Sequence, residues 1–560
     1  MTHQVVLSDP ATAGTDKPET PEEHLARWQL RLPLRRALIA EMAAAALAVP
    51  LVGLAPWWAL GAGAVVVILV VGLTYRGATG LTWMGRMWRL RKAGAGGGRR
   101  QGSLPTAREA ELPGVGPCGV IWDGRFAITM IALYGRQYAT TVLVSEGADS
   151  TDTVPLQVCG DLLEQFGGLE LHSIDVLSDG SRTARDGRFT PRYEEMVADR
   201  SAVGVRRTWL VLRLCPTACL QAMLYRCSVG QAIAAATERI RQATVRAGCR
   251  AALCSTEQIE AATSALLGGY ELGQYQQRWT DLRAGDSYVT PYRVSGADLS
   301  TRMLNDVWTI RASKAVVLVR ITRRAETEEL QVGAVVRVHT SAPLTHPPVS
   351  SLQTVPGQAF EGLAATLPLG DRSLSLALST RALTRAPLNV QVGPTGFMHG
   401  MAEMSGVPFL LSWTDPLKFV RIGIAADLDV IESLVLRATA AGATAEIHTI
   451  RPAQWEPICD HTRISLARKQ EPSKTATLII ADGAEPQQLL RDSGERGHAL
   501  VAVMPAGQPL PEDTDIRIRQ VDADHITVET PTRPHPANLG IMRPRNEAHT
   551  LAHLRQPVRS

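Results

Sequence analysis

The pattern of apolar and polar positions changes three times along this chain, and each change predicts a different kind of element. From Ala37 to Tyr75 the residues are almost all apolar, with Glu41 the only ionisable group. One membrane-spanning helix takes about 20 apolar residues, so the run has room for two. Pro56 lies near its middle, removes a backbone donor and holds Ala55 extended. Trp57 and Trp58 beside it suit the headgroup layer. The pattern therefore predicts a two-helix transmembrane hairpin over 34–76, with spans at 35–54 and 58–76. Glu41 sits near the start of the first span, where its carboxylate reaches the interface. The polar stretch before the run is too long for a secretory signal. VVVILVVG, at 65–72, has no polar side to turn to water.

Helical spacing takes over at 80–92. GLTWMGRMWRLRK alternates apolar and aromatic residues with arginines, as an interfacial helix does. AGAGGGRRQG follows as a flexible linker, and 77–112 reads as a basic juxtamembrane helix and linker.

Beyond it the period shortens to that of strands. GVIWDGRFAITMIALYG carries Asp123-Gly124 between two apolar runs, a hairpin signal. LELHSIDVLSDG, RRTWLVLRL, VWTIRASKAVVLVRITRR and LQVGAVVRVHTS read as further strands, and VGQAIAAATERIRQATVRAG as a helix stopped at Gly248. In that helix Ile233, Ala236, Ile240 and Ala243 share one face, opposite Arg239, Arg241 and Arg246. The mixture predicts an α+β domain over 113–387. From 388 to 530 the order is strand, helix, strand: FVRIGIAA, then DLDVIESLVLRATAAGA capped by Asp427, then TAEIHTI, TATLIIAD and HALVAVMP. A short helix is expected at 486–492. This spacing predicts a second, α/β domain with a parallel, Rossmann-like sheet. Residues 1–33 read as a polar leader, and 531–560 as a loose tail rich in Arg, His and Pro.

Charge sets the orientation of the hairpin. Arg27, Arg31, Arg35 and Arg36 precede it; Arg76, Arg86, Arg89, Arg91, Lys92, Arg99 and Arg100 follow it. Positive flanks mark the cytoplasmic side, so both termini are expected there, with the basic run facing anionic lipid. The formal net charge of +4 is too small to point to nucleic acid. The eight cysteines include no CxxC pair, and no His stands at ligand spacing from Cys215, Cys219 and Cys227. Buried, reduced thiols are the expectation.

Motifs of chemistry are weak. GVGPCG at 114–119 matches GxGxxG but opens a strand instead of a helix, so it reads as a turn. No Walker A loop or GxSxG elbow occurs. Asp175 and Asp179 fall on one face of their strand, as an acid pair or as a solvated strand end. Asp427 and Asp429 read as a helix cap and a solvated acid, and Asp482-Gly483 as a turn. GPTGFMHGM at 393–401 lacks a basic phosphate ligand, and His549 and His553 lack an HExxH frame. No catalytic residue, cofactor site or metal site is assigned.

Taken together, the apolar hairpin, WMGRMWRLR, GVIWDGRFAITMIAL, SIDVLSDG, RRTWLVLRL and AAATERIRQATVRAGCRAALCS resemble EccE, a core membrane component of type VII (ESX) secretion systems. The likeness is clearest over 34–265. It implies a non-catalytic structural subunit that assembles with EccB, the EccC ATPase and EccD to export small helical proteins. It also implies a multi-pass protein of the plasma membrane. Trp57, Trp58, Trp83, Met84, Met87 and Trp88, with Arg86 and Arg89, are the expected membrane-interface or partner-contact residues. The alternative is a membrane-anchored enzyme whose C-terminal α/β domain binds a nucleotide or nucleotide sugar, with Asp427 and Asp429 as its only candidate metal-binding acids.

Overall fold

The computed structural model describes residues 28–30, 42, 73–75, 78–95, 103–145, 147–150, 152–324, 327–468, 472–473, 475–483 and 499–543. The chain divides into two compact units, Met1–Lys92 and Ala93–Ser560.

In the first unit, Trp28–Leu30 pairs antiparallel with Leu73–Tyr75, which pairs with Ala78–Thr79. The helix Gly80–Ala95 follows. This corrects the expected fold class. Leu73–Tyr75 was expected to end the second span, but its backbone groups bond sideways to two strands and are not available to a helix. Gly80–Ala95 is a 16-residue helix that carries Arg86, Arg89, Arg91 and Lys92. Among the described residues no helix is long and apolar enough to cross a membrane. The expected multi-pass location with both termini cytoplasmic has no span among the described residues to carry it. The remainder of the expected hairpin, with Glu41, Trp57 and Trp58, lies outside the described residues, as do the helix at 486–492, His549 and His553.

The second unit is built on two large sheets. The first is antiparallel throughout. Its central path runs Ser287–Val294, Leu330–Thr340, Lys314–Arg323, Leu169–Ser181, Val205–Leu214, Phe126–Tyr134, Gly116–Asp123 and Ala107–Leu112. Successive side chains of a strand face opposite ways, and here both faces are covered. Leu210, Leu212, Val317, Val319 and Ile321 pack into one core. Trp209, Val211, Val316 and Leu318 pack into the other. Double burial explains the near-continuous apolar runs in RRTWLVLRL and KAVVLVRI. The helix Val229–Arg246 covers the first face with Ile233, Ala236 and Ile240, and Ser228 caps it by accepting from the Gln231 N–H. The helix Thr256–Leu266 covers the second, opened by a capping box between Ser255 and Gln258.

The second sheet departs from a Rossmann-like domain. Half of it is parallel: Ile464–Leu466, Ala445–Thr449, Leu478–Asp482, Ala499–Met504, Val420–Ala425 and Ile516–Gln520. The helix Leu428–Ala440 packs on it and stops before Gly442 at φ +127. From Ile516–Gln520 onward every pairing is antiparallel, through His525–Glu529, Ala537–Gly540, Phe397–Ala402, Pro408–Leu411, Thr140–Val144 and Gly147–Asp149. The sheet is mixed, and it draws one end from residues 140–149. Ala537–Gly540, within the stretch read as a loose tail, is one of its inner strands.

One turn in this sheet depends on glycine. Gly396 has φ +80, and a Cβ there would lie 2.2 Å from the Leu411 carbonyl carbon and 2.3 Å from its oxygen. Gly396→Ala is expected to cost about 1–3 kcal/mol through strained backbone and overpacking. Thermal melting reads this as a fall of several degrees; an unchanged melting temperature would show that the turn has room the geometry denies.

Candidate functional site

Two kinds of feature stand out from this scaffold: charge buried inside the first sheet, and apolar side chains left outside.

The buried charge follows from strand register. Asp175 lies opposite Arg320 on one neighbouring strand and two residues from the Ser173–Arg213 pair on the other. These side chains share the face of Leu177, Val211 and Leu318, beneath residues 367–373. Arg320 donates from Nε to Asp175 Oδ1 and from Nη2 to Oδ2, each at 2.8 Å. Arg213 pairs with the same carboxylate through Nη1, and reaches Leu369 O from Nε at 2.7 Å and Ser373 Oγ from Nη2 at 2.9 Å. Burial alone pushes the Asp175 carboxyl up, but the two guanidiniums outweigh it and hold it below its ordinary range. Burial lowers Arg213 to about 10 against the pull of Asp175.

Asp179 repeats the arrangement four residues along the same strand. It accepts from Arg207 Nη2 at 2.7 Å and lies 2.8 Å from Lys314 Nζ. Lys314 is lowered to about 8, mainly by burial. The two aspartates do share a face, as their spacing predicts. They are not a solvated strand end, because both are buried. Nor do they act as an acid pair, because each is neutralised by its own cations. No proton donor–acceptor couple results.

The other motifs also resolve into structure. In GVGPCG, Gly114 adopts φ +76 in a turn, and Gly116, at φ +113, opens the strand Gly116–Asp123. Asp427 stands at the N-cap position without a side-chain cap bond and accepts from Gln520 Nε2 at 3.0 Å. Asp429 lies 3.8 Å from Arg543. Asp482, read as a turn, is a buried hub. It accepts from Arg451 Nε and Nη2, Trp455 Nε1 and Thr449 Oγ1 at 2.7–2.8 Å. His399 of GPTGFMHGM is buried between Phe397 and Trp413. Among the described residues no three His, Cys, Asp or Glu side chains are placed to hold a metal ion. Cys118, Cys159, Cys215, Cys219, Cys249 and Cys254 are buried free thiols, as expected, whereas Cys227 is exposed. Burial raises Cys118, Cys159 and Cys254 to about 12, far from a reactive thiolate.

Two exposed apolar groups remain. On Gly80–Ala95, Met84, Met87 and Trp88 are exposed, and Arg86 lies over the Trp83 ring at 5.4 Å. Arg89 is on the same helix. Five of the expected contact residues are thus gathered on one element with Arg89. The second group escaped the sequence reading. Leu220, Leu224 and Tyr225 are 64, 78 and 91 % exposed, and Phe166 is 78 % exposed. Arg226 joins the two segments by donating to Ala222 O and, at 2.7 Å, to Phe166 O. Within ACLQAMLYRC the apolar residues look like a buried helix face. The run Leu220–Met223 is only four residues long, so most of them are left outside.

Comparison with known proteins bears on these surfaces. Residues 202–294 match the family model of EccE, described as a type VII ESX secretion system translocon. That stretch holds Val205–Leu214, Val229–Arg246, Thr256–Leu266 and the exposed Leu220–Tyr225 group. The chain is 27 % identical over 391 residues to the ESX-2 secretion system protein EccE2 of Mycobacterium tuberculosis, covering 70 % of this chain and 71 % of that protein. It is 27 % identical over 355 residues to the ESX-5 secretion system protein EccE5 of Mycobacterium marinum, covering 60 % and 86 %. With the ESX-1 secretion system protein EccE1 of Mycolicibacterium smegmatis it shares 24 % over 402 residues, covering 69 % and 76 %. Family model and relatives agree, and the resemblance to EccE of the type VII (ESX) secretion systems that the sequence carries is borne out.

Proposed function

We propose that this chain is a non-catalytic structural subunit of a type VII (ESX) protein secretion complex, supporting the export of small helical proteins. The observation that carries the proposal is its likeness to EccE proteins of three ESX systems over 60–70 % of its length. The use of its acids supports it: Asp175, Asp179 and Asp482 are each held by basic partners in the scaffold. The expected partners are EccB, the EccC ATPase and EccD. The Gly80–Ala95 helix and the Phe166–Leu220–Leu224–Tyr225 group are the proposed contact surfaces, since exposed apolar patches of this kind mark protein interfaces. The arginines of the helix suit anionic lipid headgroups as a further contact.

The test is gentle detergent extraction of the tagged chain, a native gel, and mass spectrometry of what travels with it. Co-migration with an FtsK-like ATPase and a polytopic subunit in a megadalton-scale band is expected. Recovery of the chain alone, from extracts in which that assembly survives, would sink the proposal. Trp88→Glu, and separately the double variant Leu224→Glu and Tyr225→Glu, are expected to reduce recovery of the other subunits several-fold. Both patches are exposed, so melting should not change. Full recovery with both variants would place the contacts elsewhere.

A further inference from the structure

A cavity of about 270 Å³ in the second unit is lined from both large sheets. The first sheet gives it Asp179 from Leu169–Ser181, Arg207 from Val205–Leu214, and Lys314 from Lys314–Arg323. The segment after Leu169–Ser181 adds Arg185. Arg463, which leads into the strand Ile464–Leu466, comes from the second sheet. Drug-sized sites run from about 300 to 1,000 Å³, so an occupant here is small.

Its charge is one-sided. Four cationic side chains line it, and Asp179 is the one carboxylate among the described lining residues. Asp179 already serves both Arg207 and Lys314. Asp186, which is exposed, serves Arg463 by accepting from its Nε at 2.7 Å. Two carboxylates thus serve four cations. A fifth positive charge stands behind the wall. Arg337 is fully buried, donates from Nη2 to Leu266 O at 2.8 Å, and has no ion pair among the described residues. The cations act on one another and on the groups between them. Arg337 and Arg207 both oppose the charge of Lys314. Burial holds His339 well below its ordinary range, and Arg337, Lys314 and Arg185 add to that repulsion.

Two of the cations keep donors that a ligand can reach. Arg185 is exposed, and its side chain makes no hydrogen bond or ion pair among the described residues. Arg207 gives Nη2 to Asp179 at 2.7 Å, but its side chain is 51 % exposed, and its Nε and Nη1 make no hydrogen bond among the described residues. Lys314 is different. It is buried, with Nζ held by Asp179 and by Ala265 O, so it contributes its field and not a contact.

We propose that this cavity binds a phosphate dianion, as inorganic phosphate or as the end group of a small phosphomonoester. The phosphate takes the accessible donors of Arg185 and Arg207, whose planar guanidiniums match its oxygens in geometry and charge. A carboxylate brings a single negative charge, whereas a phosphomonoester carries about 1.5–2 at pH 7. That answers the two cations in excess. No bond is made or broken; the ligand acts by occupying the site and relieving the repulsion among its walls. The inference stands apart from the secretion role, because it uses no residue of the proposed contact surfaces.

Isothermal titration of the full chain with inorganic phosphate, glycerol 3-phosphate and acetate, at matched ionic strength, tests it. Saturable binding of phosphate or of the ester, tighter than acetate, is expected. An ester that binds more tightly than phosphate supports the proposal with a phosphomonoester as the ligand; otherwise bound phosphate supports it with the free ion. Arg207→Gln should weaken binding tenfold or more. Arg185→Ala should do the same while leaving the melting temperature unchanged, because the side chain is exposed and unpaired. It keeps the test valid if the loss of Arg207 from Asp179 disturbs folding. Absence of saturable binding at millimolar concentration overturns the proposal. So does acetate binding as tightly as phosphate, or binding that Arg185→Ala leaves intact.

Discussion

Asp175→Asn is expected to destabilise the second unit by about 3–5 kcal/mol, because it leaves two buried guanidiniums without their counter-charge. In the native protein one carboxylate serves both Arg213 and Arg320, and all three side chains are buried. The amide of Asn has nearly the same shape. It offers one acceptor in place of a carboxylate and turns a donor toward one of the guanidiniums. The remaining hydrogen-bond partners, Leu367 O, Leu369 O, Ser173 Oγ, Ser373 Oγ and Ser373 O, are neutral and cannot replace the lost charge. At this size of unit the loss corresponds to a fall in melting temperature on the order of 10 °C. Replacing all three residues together, by Asp175→Leu, Arg213→Met and Arg320→Met, should cost less than the single change. A buried ion cluster exchanged for apolar volume loses both its attraction and its desolvation penalty. A melting temperature for Asp175→Asn within a degree or two of the parent would mean that water reaches the cluster. Acid should act on the same group. Its native pKa is depressed, so its contribution is fully present above the unfolded value near 4. It is lost only as pH falls through the lower native value.

This cluster shows what could be read from sequence and what could not. The spacing of Asp175 and Asp179 announces a shared face, because strand side chains alternate. Their partners come from Val205–Leu214 and Lys314–Arg323, chosen by register between strands distant in sequence, and nothing local specifies that register. The long strands of the first sheet were legible because both of their faces are buried and their apolar runs are nearly unbroken. The parallel half of the second sheet was legible from its strand–helix–strand rhythm. Its antiparallel half was not. FMHGMA, PFLL and ANLG are short and carry Gly, His or Pro, so they resemble loops until their neighbours are known. Hydropathy misled most at Leu73–Tyr75. Apolar content there suits a membrane helix and a strand equally, and backbone pairing decides for the strand. Exposure was the least legible property. Leu220, Leu224 and Tyr225 belong to an apolar segment, yet they lie outside the core.

The second large effect is expected from pH, through His399. The ring is fully buried, stacked on Phe397 with centroids 4.3 Å apart and edged by Trp413. Its tautomer follows from its partners. The Trp413 indole can only donate, and it lies 2.9 Å from His399 Nε2, so that nitrogen accepts. The Nδ1–H then donates to Phe397 O at 3.0 Å. A second proton has no acceptor. Burial, with Arg437 nearby adding repulsion against the Phe397 hydrogen bond, lowers the group from 6.5 to about 3. Between those values the unfolded chain binds a proton that the native chain refuses. Stability is therefore full above pH 6.5 and falls as pH drops toward 3, by on the order of 4 kcal/mol in all. Other buried histidines, among them His339 and His448, are lowered too and add losses of the same sign. A His399→Gln variant isolates the one group. Its carbonyl accepts from the indole, its amide donates to Phe397 O, and it does not titrate. Melting of parent and variant should therefore differ by a fixed amount above pH 6.5. Below that the parent should lose stability faster, with the gap widening at each step toward acid. Parallel profiles across that range would show that His399 takes up its proton in the folded state, and that the ring is less enclosed than its contacts require.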